Sequence, residues 1–119
     1  MKSRWFRAAA LFMLAGVALG AFGAHYLSRH LHPAALSVFK TAAYYHVVHA
    51  LGLFIVAWAD SQKPGNRRVR LAGLAFTSGI FLFSGSLCLL VLTGFRWFGI
   101  LTPFGGLLFL AGWALLAAA

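Results

Sequence analysis

The stretch Phe39 to Leu53, FKTAAYYHVVHALGL, decides how this chain is read. It is apolar enough to enter a bilayer, yet it carries two histidines. An imidazole in hydrocarbon is costly unless it has a partner, so His46 and His49 are the first candidates for any function. Residues three apart share a helix face, with Cβ atoms about 5–6 Å apart. Ala42, His46, His49, Ala50, Leu53 and Ala57 therefore trace one stripe, expected to face other helices.

Composition agrees with a helix in lipid. The 119 residues make one domain. They are 62% hydrophobic and 9% charged, against about 45–50% and about 25% for soluble domains. Together with apolar runs of spanning length, this sets the class as integral membrane. A net charge of +9 would suggest nucleic acid in a soluble protein. Here the bases sit in short segments between apolar runs, which is how orientation is fixed in a membrane. The bilayer is thus the expected partner and nucleic acid is not. Asp60 is the single acid, so paired-carboxylate chemistry and buried acid relays are not available and no enzyme is expected. The single cysteine, Cys88, lies within an apolar run and reads as a small buried hydrophobe.

Four runs follow from the charge pattern, at roughly 6–24, 41–59, 71–93 and 99–118, each near the spanning length of about 17–25 residues. The basic start before Ala8 and the AFGA near Ala24 also fit a cleavable signal peptide. The length of the run favours a span, as does the ridge of Gly16, Gly20 and Ala24 spaced by four, where another helix can approach. His25 to Lys40 reads as a polar-leaning connection with a turn or two of interfacial helix. Pro33 is expected in the first turn of the next helix. Asp60 to Arg70 reads as a loop with a turn at Pro64–Gly65 and a cap at Asn66. In the third run Ser78, Gly79, Ser84, Gly85 and Ser86 offer small, hydroxyl-bearing surface, as Gly105, Gly106 and Gly112 do in the fourth. Trp58 and Trp113 are expected at the headgroup level. With the N-terminus inside, Lys2, Arg4, Arg7, Lys63, Arg67, Arg68 and Arg70 are inside, against Arg29, Lys40 and Arg96 outside. The expected fold is all-α, an antiparallel up-down four-helix transmembrane bundle with both termini cytoplasmic. His25, His46, His49, Ser86 and Thr102 then gather toward the outer side.

Four motifs, GAFGAH at Gly20–His25, FKTAAYYHVVHALGL, LFSGSLCLLVLTG at Leu82–Gly94, and the Thr102–Gly106 TPFGG with Gly112–Trp113, resemble the small four-span family called domain of unknown function 423. Leu101, between Ile100 and Thr102, departs from the tighter form of the last motif. The resemblance covers nearly the whole chain in order. It implies a bacterial inner-membrane protein, related to small mitochondrial-type proteins of eukaryotes, with no established activity to carry over. His25 and His49 fall on its motif positions.

Three readings of the polar residues compete. In the first, His25 and His49 hydrogen-bond across helices to Ser86, Thr102, a tyrosine or a carbonyl, and the protein is an accessory, scaffold or assembly component with a membrane-protein partner or a second copy. In the second, His25, His46 and His49 hold a metal or haem near the outer face. In the third, the histidines line the vestibule of a small oligomeric transporter or channel, with Gly16 and Gly20 packing within or between protomers.

Overall fold

A computed structural model describes residues 4–119; Lys2, one of the bases in the orientation count, lies outside them. Four long helices account for nearly all of the described residues: α1 (Arg4–His30), α2 (Pro33–Gln62), α3 (Arg67–Thr93) and α4 (Arg96–Ala118). All four are long and apolar enough to cross a membrane. The longest dimension, 46 Å, matches a bilayer with its headgroups, about 40–45 Å.

Each boundary has a local cause. The first helix does not stop at Ala24, because it widens into a π turn over Gly23–Leu27 and continues. Beyond it, Ser28 Oγ donates to the Ala24 carbonyl at 2.7 Å and His30 Nδ1 bonds the Tyr26 carbonyl at 2.8 Å. The polar side chains thus fold back onto their own helix, and most of the expected connection is helical. Leu31 and His32 make the turn. Pro33 opens α2 at its first turn, and His32 Nδ1 accepts from the Ala34 amide at 3.2 Å as its cap.

The Asp60–Arg70 loop is also shorter than expected, since α2 runs to Gln62 and α3 begins at Arg67. Gly65 takes the left-handed φ of +77° that the turn requires. Asn66 Oδ1 accepts from the Arg68 and Val69 amides at 2.9 and 3.2 Å, the expected cap. The third helix has its own π turn, Ile80–Gly85, and ends at Gly94 with φ +76°. A 3₁₀ turn, Arg96–Ile100, leads into the α-helical part of α4, Thr102–Ala118.

Cross-chain contacts fix the antiparallel order. Trp5 at the start of α1 lies over Gly73 near the start of α3, and Arg68 donates to the Ala118 carbonyl at the end of α4, at 3.0 Å. At the opposite end Ser86 meets Thr102. The described start of the chain, its end and the 63–66 turn therefore share one end, called here the near end. The other two connections lie at the far end. Among the helices α1 packs on α2, α3 packs on α4, and α2 joins the pairs through α3. Trp5, Ala9, Leu53, Val56, Val69, Ala72, Phe76, Ile80 and Phe109 form the buried core. All six residues of the α2 stripe, from Ala42 to Ala57, are buried as expected.

Close approach occurs where a glycine faces a ring or a backbone. A Cβ at Gly79 would stand 2.5 Å from the Phe109 ring, one at Gly112 2.5 Å from the Phe76 ring, and one at Gly105 would fall on the backbone of Phe83. The first-helix ridge is not the expected one. Gly20 has open space where a Cβ would go, while Gly16 and Gly23 meet His46 and Phe39 of α2. The seam repeats every seven residues through Ala9, Gly16 and Gly23, the period of a left-handed crossing, and Gly20 falls off it. Gly85 and Gly106 likewise make no close approach, their nearest contacts being 3.9 Å. Gly105→Ala is expected to cost about 1–3 kcal/mol through overpacking, and Gly20→Ala to leave stability unchanged. Circular dichroism melting of the two variants in one detergent measures the difference.

Candidate functional site

His46 and His49 sit at the middle of α2, the first 13 residues after Pro33 and the second 13 before Gln62. From there the rings diverge. His46 reaches α1, where Nε2 donates to the Phe12 carbonyl at 2.7 Å. That carbonyl also belongs to the helical ladder, which pairs it with the Gly16 amide one turn on. The imidazole lies over Gly16, and a Cβ there would be 2.9 Å from its Cδ2. The glycine supplies the gap through which the ring touches the facing backbone.

His49 reaches α4. The Trp113 indole N–H is 3.0 Å from Nε2, and Nδ1 is 2.8 Å from the Tyr45 carbonyl one turn back. An indole N–H can only donate. Nε2 must therefore be the unprotonated acceptor, and the proton sits on Nδ1, donated to Tyr45. One neutral tautomer satisfies both nitrogens. The ring also stacks on Phe109, with centroids 3.5 Å apart and planes within 6°, and meets the edge of Phe76 at 5.3 Å. Helices α2, α3 and α4 thus converge on this imidazole.

A third contact closes the far end of the α3–α4 pair. Ser86 Oγ donates to the Phe83 carbonyl at 3.0 Å, inside the π turn, and lies 2.7 Å from Thr102 Oγ1. A hydroxyl has one proton, so Thr102 is the donor in the second bond. The structure pairs Ser86 with Thr102, which the sequence had offered only as partners for the histidines on the same side, and joins neither to a histidine. His25 is exposed on the π turn of α1 and does not approach the other two. Among the described residues no three of His, Cys, Asp or Glu are grouped so as to share a metal ion.

Trp113 is the residue that sequence reasoning misplaced. Its proximity to the end of α4 suggested the headgroup level, but its indole N–H is spent on His49 and its ring packs on Phe76, with centroids 4.7 Å apart, while 38% of the residue stays exposed. Beside this pair a groove of about 670 Å³ opens on the lipid-facing side between α2 and α4. His49, Phe83 and Phe109 form its floor, and Tyr44 and Leu110, both more than half exposed, form its walls.

The His49–Trp113 bond should show as a coupling of roughly 0.6–2 kcal/mol. A double-mutant cycle of His49→Ala and Trp113→Phe, read by reversible unfolding in micelles, checks it. Gly16→Ala is expected to destabilise the parent through its clash with His46, and to do so much less in a His46→Ala background. The same unfolding assay on the four proteins gives the answer.

Comparison with known proteins places the chain among relatives of similar length. The UPF0382 membrane protein YwdK of Bacillus subtilis is 42% identical over 106 residues, covering 89% of this chain and 86% of the relative. A UPF0382 membrane protein of Haemophilus influenzae is 40% identical over 117 residues, covering 98% and 93%. The UPF0382 inner membrane protein YgdD of Escherichia coli is 38% identical over 104 residues, covering 84% and 76%. No solved structure matches. The family described as protein of unknown function DUF423 matches residues 19–106, the portion that holds His46, His49, Ser86 and Thr102, and the chain belongs to that family of multi-pass membrane proteins.

Proposed function

We propose that the protein is a small structural accessory component of the bacterial inner membrane, a scaffold on which another membrane protein or a second copy of the chain assembles, and that it is not an enzyme. The carrying observation is how His49 is used. A metal or haem iron binds the unprotonated nitrogen of a neutral imidazole, and here that nitrogen accepts from Trp113. His46 spends its Nε2 proton on the α1 backbone, so it too ties one helix to another. Both imidazoles act as interhelical fastenings, which favours the scaffold over a metal or haem centre and over a proton-titrating vestibule.

Orientation follows from charge. The near end carries Arg4, Arg7, Lys63, Arg67, Arg68 and Arg70, and the far end Arg29, Lys40 and Arg96. This excess supports a near end that faces the cytoplasm. The inner membrane as location is supported by the name of the Escherichia coli relative. The groove between α2 and α4 supports an assembly role, since its exposed aromatic wall offers a neighbouring helix a ready contact.

Purification from native membranes in mild detergent, followed by native mass spectrometry, elemental analysis and an absorption spectrum, tests the reading. The expected result is a particle heavier than the lone chain without stoichiometric metal or haem, and a lowered melting temperature for His49→Ala. Stoichiometric metal or a haem band that His49→Ala removes while the melting temperature holds would overturn it.

A further inference from the structure

We infer that the near end holds a binding site for an anionic phospholipid, seated between the start of α3 and the end of α4. A hollow of about 540 Å³ lies there, lined by Asn66, Arg67, Arg68, Leu71 and Leu115. Its chemistry changes along the membrane normal. Two guanidinium groups form the rim, and one turn deeper the wall is leucine from both helices. A phosphodiester followed by glycerol and the first methylenes of an acyl chain has the same order of polarity. A free phosphate has no use for the leucine wall, so the lipid is the better match.

Charge balance points the same way. The chain has ten Lys and Arg against one acid. That acid, Asp60, lines a smaller adjoining hollow with Arg4 and Arg70, which shares Asn66 with the larger one, so among the described residues no Asp or Glu lines the larger one. The Arg68 guanidinium is held in place by donating one Nη1 proton to the Ala118 carbonyl at 3.0 Å. A guanidinium has five donors, so four remain for an anion. Asn66 has its side-chain oxygen committed to the α3 cap. Arg67 is exposed beside it, and among the described residues its side chain has no hydrogen-bond or ion-pair partner. A phosphodiester drawn in by Arg67 and Arg68 would sit where lipid headgroups lie.

The test uses the full chain in dodecyl maltoside, titrated with dioleoyl phosphatidylglycerol, with dioleoyl phosphatidylcholine, or with inorganic phosphate, and read by native mass spectrometry and by melting temperature. A basic residue near a membrane surface strengthens anionic-lipid attachment about fivefold. Phosphatidylglycerol should therefore bind at least about fivefold more tightly than phosphatidylcholine. Arg67→Gln should lose most of that preference with its lipid-free melting temperature unchanged, and Arg67→Lys should retain part of it. Arg96→Gln, at the far end, should behave as the parent. Equal binding of the two lipids overturns the inference, as does a preference that Arg67→Gln leaves unchanged. Protection by inorganic phosphate equal to that by phosphatidylglycerol would replace the lipid site with a soluble-anion site.

Discussion

A large ring crossing from one membrane helix to another needs a place where the facing helix presents no side chain. Hydrocarbon gives little drive to press helices together, so association depends on close packing and on hydrogen bonds between them. Glycine supplies the place in this bundle. His46 lies over Gly16, Phe109 against Gly79, Phe76 against Gly112 and Trp5 over Gly73. The rings so seated are among the most buried residues of the protein or the ones that carry its interhelical hydrogen bonds. Removing one space displaces a ring and whatever that ring holds.

The polar contacts depend on that packing. His46 can reach a main-chain carbonyl only because no side chain intervenes at Gly16. His49 can accept from Trp113 only because Phe76, seated against Gly112 and close to Gly52, leaves room for the indole beside it. Geometry also dictates protonation: a donor-only indole on one side and a carbonyl on the other leave a single arrangement of protons on the imidazole. These are three fastenings at separate places, joining α1 to α2, α2 to α4 and α3 to α4.

Much of this was legible from residue order. Charge-free runs revealed four spans, and the three-and-four spacing around His46 and His49 identified the buried stripe of α2. Pro33 and Asn66 marked helix starts through their own chemistry. Ser86 and Thr102 were recognisable as polar groups at the same depth. Less visible were the contacts that depend on which way a helix is turned. Gly20 resembled Gly16 because a spacing of four suits a straight pair, whereas the seam on α1 advances by seven. Trp113 was assigned by its distance from the helix end, and distance along an axis says nothing about the direction of a side chain. The π turns left no signal of their own in composition; one lies where α1 continues past its apolar run and the other ends just before Ser86.

Those two π turns divide the molecule mechanically. A π turn accommodates one residue more than an α turn, so the face presented beyond it is rotated relative to the face before it. Most of the ring-and-glycine seats lie on the near-end side of these turns, while His25, the exposed face of Tyr26 and the Ser86–Thr102 bond lie on or past them. Two further seats are set into the wide turns themselves, Phe39 over Gly23 and Phe83 against Gly105, so each turn brings its own glycine or phenylalanine to the neighbouring helix and is held there by it.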